Sequence, residues 1–318
     1  MPYYTMRDGE QIFAYVIGDG SPCVLVNGFV CVARVWVPLI STLKGVGCQF
    51  ILMDVRGSGE SATARYTKPA FEQFAEDVDD LLDALGHAQA KLVGCSQGAY
   101  ACLVKYKVTG FSRITSFLLY EHTIKVAPSD GYKHGINPEV FEKYRALVAM
   151  WKHLNLDDPR VPFKKLPPEF RRAYRATCME TIDYCCDSIR GGKVTKPLIR
   201  AAVSFIQSST IMWHGTMKIM EDYVHHDYGI SLKDLEHMNL PVTILYARRS
   251  RLFPNDAILE MAESMPNVKV IRYENSGHAI FQTEPWKFRA DLAQFLAGPS
   301  RLTVLPTTNR PAAAARLP

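Results

Sequence analysis

From Gln11 onward the chain alternates between short apolar runs and longer stretches in which apolar side chains recur every three or four positions. "QIFAYVIG" (11–18) and "PCVLVNG" (22–28) read as β-branched-rich strands, and "AKLVG" (90–94), "ITSFLLY" (114–120), "PVTILYA" (241–247) and "VKVIRY" (268–273) read as strands too. "QFILMDVRGSGES" (49–61) is a further apolar strand that runs into a Gly/Ser turn. Between them, "VWVPLISTLKG" reads as a short helix ended by Gly45. From Phe71 the apolar positions 71, 74, 78, 81, 82 and 85 keep helical spacing, with Asp77, Asp79, Asp80 and Asp83 falling mostly between them. "QGAYACLVKYKV" and "PWKFRADLAQFLAG" are also helical. Strands that are apolar throughout need cover on both faces, and alternation with helices supplies it. The pattern predicts an α/β protein with a mostly parallel, doubly wound sheet.

The alternation breaks between Thr123 and Asn239. Here "NPEVFEKYRALVAMWKHL", "LPPEFRRAYRATCMETIDYCCDSI" and "KPLIRAAVSFIQSSTIMWHGTMKIMEDYVHH" read as helices bounded by Pro and Gly and rich in Met, Tyr, Trp and Phe. The expected organisation is a first core part over 1–122, a helical lid over 123–239 and a second core part over 240–298. The remainder, 299–318, is a Pro/Ala/Thr tail expected to be disordered. The aromatic helices have two functions to serve, packing on one another and roofing an apolar pocket.

Composition narrows the classes. Hydrophobic content of 47% and charged content of 22% suit a globular domain, and 318 residues allow a large core. The net charge of +5 owes three of its units to Arg301, Arg310 and Arg316 in the tail, which holds no acid and no aromatic residue. No nucleic-acid partner is therefore indicated. No window is apolar enough for a membrane span, and "MPYYTMRDGEQ" does not resemble a secretory signal. The eight cysteines lack metal-ligand spacing and several lie in apolar runs, which suggests a reduced, cytoplasmic protein. The cluster His225-His226-Asp227 holds adjacent residues that diverge on a helix, so it is assigned to the surface and no metal is expected. No other cofactor is indicated, and a homodimer is compatible with the chain.

The candidate chemistry centres on "LVGCSQGAY" (92–100), which sets Ser96 between Gly94 and Gly98 on a strand-to-helix turn. Ligands of open α/β sheets bind at the carboxyl ends of the strands, and a sharp turn there crowds both flanking positions. With "LVNGFV", "DVRGSGES" and "ENSGHAIFQTEP" in the same order, the chain resembles an α/β-hydrolase-fold protein over about residues 3–297. The resemblance implies Ser96 as nucleophile, His278 as base, and the main-chain N–H groups of Phe29 and Gln97 as oxyanion hole.

Two departures stand out. Asn27 occupies a position where most members have His, beside a hole made of backbone groups. More consequentially, counting from Ala247 to the usual acid position reaches Ser250, within "RRSRLFP". A serine cannot carry the charge that stabilises an imidazolium. Some branches of the fold place the acid after the strand that follows the nucleophile helix, and Glu121 in "FLLYEHT" stands at that point. Asp256 in "FPNDAI" is the reserve.

Ser96 with His278 suits ester or thioester hydrolysis of a fairly bulky apolar acyl substrate, which a carrier could present. A serine in place of an aspartate nucleophile makes dehalogenase and epoxide-hydrolase chemistry unfavoured. The alternatives are a carbon–carbon bond hydrolase, a cofactor-free dioxygenase using His278 and an acid, and a non-catalytic ligand-binding relative. Arg248, Arg249 and Arg251 stand either as a solvated loop or as a contact for an anionic part of the substrate.

Overall fold

The computed structural model describes residues 3–298 apart from 44, 130 and 187–211. Its strands are β1 (Tyr3–Thr5), β2 (Gln11–Ile17), β3 (Ser21–Val26), β4 (Cys48–Met53), β5 (Ala90–Cys95), β6 (Ile114–Tyr120), β7 (Val242–Ala247) and β8 (Val268–Tyr273). They form one sheet in the order β1-β2-β4-β3-β5-β6-β7-β8. The pairs β1–β2 and β2–β4 are antiparallel and the rest are parallel, so the doubly wound, mostly parallel sheet is observed.

The helices are α1 (Val37–Ser41), α2 (Ala70–Ala84), α3 (Gln97–Val108), α4 (Pro138–His153), α5 (Pro168–Cys186), α6 (Met212–His225), α7 (Leu232–Glu236), α8 (Asn255–Ser264), α9 (Ile280–Thr283) and α10 (Pro285–Ala297). Sheet alternation distributes side chains to two cores. Val24 and Val26 of β3 pack with α2 and α3, whereas Cys23 and Leu25 pack with Trp36, Ile40 and the Phe288 and Leu292 face of α10. A central strand buried on both faces supplies about 1.5–3 kcal/mol per aliphatic side chain.

Three features differ from the sequence reading. β1 is too short to carry a periodic signal. β8 is an edge strand whose Val270 is exposed, so its apolar residues are not all core. On α2, Asp77 is buried although it falls between the apolar positions. Arg56 explains this: its guanidinium, itself buried, meets Asp77 at 2.6 Å and 2.8 Å and Asp8 at 2.7 Å. A buried carboxylate is tolerable when its partner makes several hydrogen bonds.

The helical segment after β6 shares its core with the sheet. Tyr144, Trp151, Phe163, Phe170, Tyr174, Trp213 and Met217 are buried in the cluster that includes α2 and α3. α6 is tied to α2 by Asp222, which accepts the Phe71 N–H at 2.7 Å and the Tyr228 hydroxyl. Residues 196–211 of the third helix read from the sequence, and the tail 299–318, lie outside the described residues. No disulfide joins any of the eight cysteines, all of which lie among the described residues, and six are buried, in keeping with small apolar side chains. His225, His226 and Asp227 are exposed. Asp227 pairs with Lys125, and no group suited to a metal ion occurs among the described residues. No helix among the described residues is long and apolar enough to cross a membrane.

Candidate active site

The register aligns the carboxyl ends of four neighbouring strands. Val26 of β3 pairs with Gly94 of β5, Cys95 with Tyr120 of β6, and Tyr120 with Leu245 of β7. The residues that leave these strands, Asn27, Ser96 and Glu121, therefore share one edge of the sheet.

Ser96 leaves β5 with φ 53° and ψ −120°, a backbone conformation that costs a non-glycine residue roughly 1–3 kcal/mol. Its N–H still bonds the Tyr120 carbonyl at 2.7 Å, and α3 begins at the next residue. The flanking glycines are required by close approach. A Cβ on Gly94 would lie 2.6 Å from the Ala99 Cα, and one on Gly98 would lie 2.5 Å from the Val26 carbonyl oxygen.

The Ser96 hydroxyl donates to His278 Nε2 at 2.8 Å, and His278 Nδ1 faces Glu121 Oε2 at 3.1 Å. Glu121 Oε1 accepts the Ala247 N–H at 2.5 Å. The carboxylate, wholly buried, is thus held on both oxygens. It requires the proton of the imidazole on Nδ1 and leaves Nε2 to accept from Ser96. Glu121 itself has φ 52°, and its N–H continues the ladder to the Leu245 carbonyl at 3.0 Å.

The histidine turn is anchored from two sides. The Tyr120 hydroxyl donates to the His278 carbonyl at 2.5 Å and accepts the Ile280 N–H at 2.6 Å. The Ala279 N–H bonds the Cys185 carbonyl of α5 at 3.0 Å, so the end of that helix touches the turn that carries His278. Tyr120 is a positioning residue that no sequence signal marked; within "ITSFLLY" it reads as an ordinary strand aromatic.

Gln97 is the first residue of α3, so its N–H has no acceptor within the helix. Gly28, one residue before Phe29, lies so close that an added Cβ would be 3.3 Å from the Ser96 Cβ. The turn that carries Gly28 and Phe29 therefore runs beside Ser96, next to the start of α3. Asp54 steadies the loop beyond, accepting the Ala33 N–H at 2.6 Å, and burial raises its carboxyl above the usual range. Asn27 and Gln97 line a cavity of about 20 Å³, and Asn27 Oδ1 and Gln97 Oε1 are buried with no protein partner. Such a space fits about one water.

Asp256 is not brought to this site. It is exposed in the first turn of α8, whereas His278 Nδ1 is met by Glu121. The Ser250 hydroxyl is buried without a partner. Arg248 faces Glu274 at 3.5 Å, Arg249 bonds the Ser276 carbonyl through its N–H, and Arg251 lies over the Tyr184 ring at 5.0 Å.

Next to Glu121, His122 is wholly buried. Its Nε2 is 3.2 Å from the Tyr223 hydroxyl, and its ring stacks on Tyr223 and packs against Phe253, whose ring centre is 5.7 Å from that of His278. Burial lowers its pKa from 6.5 to about 3, so this imidazole stays neutral at ordinary pH.

Comparisons with known proteins agree with this architecture. A family model described as the alpha/beta hydrolase fold matches residues 22–106. A non-heme chloroperoxidase from Kitasatospora aureofaciens is 27% identical over 300 residues, covering 93% of this chain and 99% of that protein. An esterase from Exiguobacterium antarcticum superposes with a TM-score of 0.72 at 18% identity, covering 92% of this chain and 98% of the other. An esterase from a Rhodococcus species superposes with a TM-score of 0.67 at 19% identity, covering 93% and 98%.

Proposed function

For a chain that belongs to the α/β-hydrolase superfamily, we propose serine hydrolase activity on an ester or thioester of a fairly bulky apolar acyl group. The observation that carries this reading is the unbroken relay Ser96–His278–Glu121, with contacts of 2.8 Å and 3.1 Å. The esterase names of two structural neighbours lend support to it.

In this mechanism His278 Nε2 takes the Ser96 proton as Oγ attacks the acyl carbon. The oxyanion forms against the Phe29 and Gln97 N–H groups, each such donor being worth about 3 kcal/mol of barrier. His278 then returns the proton to the leaving oxygen or sulfur, and an acyl-Ser96 remains. Water attacks that ester with His278 again as base, releasing the acid and regenerating Ser96. Glu121 holds the Nδ1–H tautomer and stabilises the imidazolium throughout.

Rapid-mixing kinetics with 4-nitrophenyl butyrate test the proposal. The expected result is a burst of about one equivalent of 4-nitrophenolate, absent in Ser96→Ala. A folded wild type that turns over neither this ester nor butyryl-N-acetylcysteamine contradicts it. The position of the acid after β6 also favours assaying oxygen consumption with phenolic substrates. There, activity that survives Ser96→Ala and fails in His278→Ala would support the dioxygenase reading. The name of the chloroperoxidase relative motivates a parallel assay of halide oxidation with hydrogen peroxide.

A further inference from the structure

The turn that carries His278 is held by two separate parts of the molecule. From the sheet, the Tyr120 hydroxyl takes the two outer main-chain groups, donating to the His278 carbonyl and accepting the Ile280 N–H. Between them stands Ala279, whose N–H goes to the helical insertion instead. It bonds the Cys185 carbonyl, in the last turn of α5, at 3.0 Å. Ala279 is buried and packs with Ile182 and Cys186 of α5 in a small apolar cluster distinct from the two large cores.

The same helix reaches the other half of the site. Thr181, the residue before Ile182, is buried, and its hydroxyl meets that of Tyr144 in α4 at 3.3 Å. The Tyr144 ring in turn packs on that of Phe29, with ring centres 5.6 Å apart and planes tilted by 30°. Phe29 belongs to the turn that runs beside Ser96. A continuous path of contacts thus leads from Phe29 through Tyr144, Thr181 and Ile182 to Ala279 without passing through the sheet. Every member apart from Phe29 is buried.

Such a path matters because reacting groups have to be held within about 0.5 Å of their productive positions. The sheet fixes Ser96 and Glu121, which leave the adjacent strands β5 and β6 directly. His278 and Phe29 instead lie further along the loops that follow β8 and β3. Loops are more mobile than the elements they connect, so these two residues need support from outside the sheet. The insertion touches both of their turns.

We propose that α4 and α5 brace the His278 turn against the Phe29 turn, with Ile182 as a positioning residue for the base. The proposal rests on the hydrolase reading in so far as His278 activates Ser96; the brace on the His278 turn does not. Cutting Ile182 back to Cβ leaves a void against Ala279, and the turn relaxes into it. The imidazole then leaves the line between Ser96 and Glu121, which slows proton transfer and leaves substrate affinity alone. An insertion that merely roofed the site would show the reverse, a changed affinity with proton transfer intact.

The test compares Ile182→Ala with Ile182→Val, which keeps a branched contact, and with Phe170→Leu, buried in the insertion about 18 Å away along α5. Unfolding temperature is expected to fall by a few degrees in Ile182→Ala and Phe170→Leu alike. With 4-nitrophenyl butyrate, well below unfolding, kcat is expected to fall about tenfold in Ile182→Ala while KM stays within about twofold. In Ile182→Val and Phe170→Leu kcat stays within about twofold of wild type. A second readout needs no turnover: the downfield proton resonance of His278 Nδ1–H, assigned by its loss in His278→Gln. It is expected to broaden in Ile182→Ala and to persist in Ile182→Val and Phe170→Leu. The inference is overturned if that resonance is as sharp in folded Ile182→Ala as in wild type, or if an active wild type and Ile182→Ala share one kcat. It is also overturned if Phe170→Leu lowers kcat as much, since the effect is then loss of stability alone. A protein that turns over no ester, yet loses the resonance in Ile182→Ala only, upholds the brace and removes the hydrolase reading instead.

Discussion

Ser96 and Glu121 leave adjacent strands through similar backbone geometry, with φ values of 53° and 52°, yet their sequences announce it very differently. In each case the residue's own N–H completes one more step of the parallel ladder, to Tyr120 and to Leu245, before the chain turns. The Ser96 turn admits a following helix, so its neighbours approach to within 2.6 Å of any Cβ at Gly94 and 2.5 Å at Gly98, and glycine is obligatory there. The Glu121 turn opens into a long irregular segment, and it is flanked by Tyr120 and His122. Backbone strain alone leaves no mark in a sequence; crowding does.

The largest expected effect lies on the unmarked turn. Glu121→Gln can still accept the Ala247 N–H through its amide oxygen while turning its NH2 toward His278 Nδ1. That NH2 favours the tautomer with the proton on Nε2, where it cannot accept from Ser96. Esterase kcat is expected to fall about 10³–10⁴-fold, with unfolding temperature changed by only a few degrees. On the marked turn, Gly98→Ala forces a Cβ against the Val26 and Asn27 carbonyl oxygens. A loss of about 2 kcal/mol in denaturant unfolding is expected, together with reduced activity.

His122 sharpens the comparison through pH. Its pKa is about 3 in the folded protein against 6.5 for the ordinary group, so between these values the unfolded chain binds more protons. Stability contributed by the neutral ring is complete above pH 6.5 and is lost as pH falls toward 3. A His122→Phe variant should lose up to about 1.4 kcal/mol per pH unit of slope in unfolding free energy across that window. An unchanged slope would mean that His122 is not the group taking up the proton. The smallest expected effect is in Asp256→Asn, whose side chain is exposed on α8; ester kcat/KM should stay within about twofold of wild type.

Much of this architecture was legible. The strands "ITSFLLY" and "VKVIRY" carry β-branched runs and match β6 and β8 residue for residue. The pairing of Ser96 with His278 comes from the resemblance to the α/β-hydrolase fold, and Glu121 joins them because it stands directly after the strand that follows the nucleophile helix. What stayed illegible depends on partners distant in sequence. Asp77 looks like a solvated acid until Arg56 is placed under it, and Tyr120 looks like a core aromatic until its hydroxyl meets both His278 and Ile280.

The account turns on Glu121 acting through His278 on Ser96. The most direct measurement is the rate of fluorophosphonate labelling followed by intact mass, for wild type, Ser96→Ala and Glu121→Gln at equal concentration. The account predicts one adduct on wild type, none on Ser96→Ala, and labelling of folded Glu121→Gln slowed by about 10³-fold or more. Labelling of Glu121→Gln at the wild-type rate would contradict it.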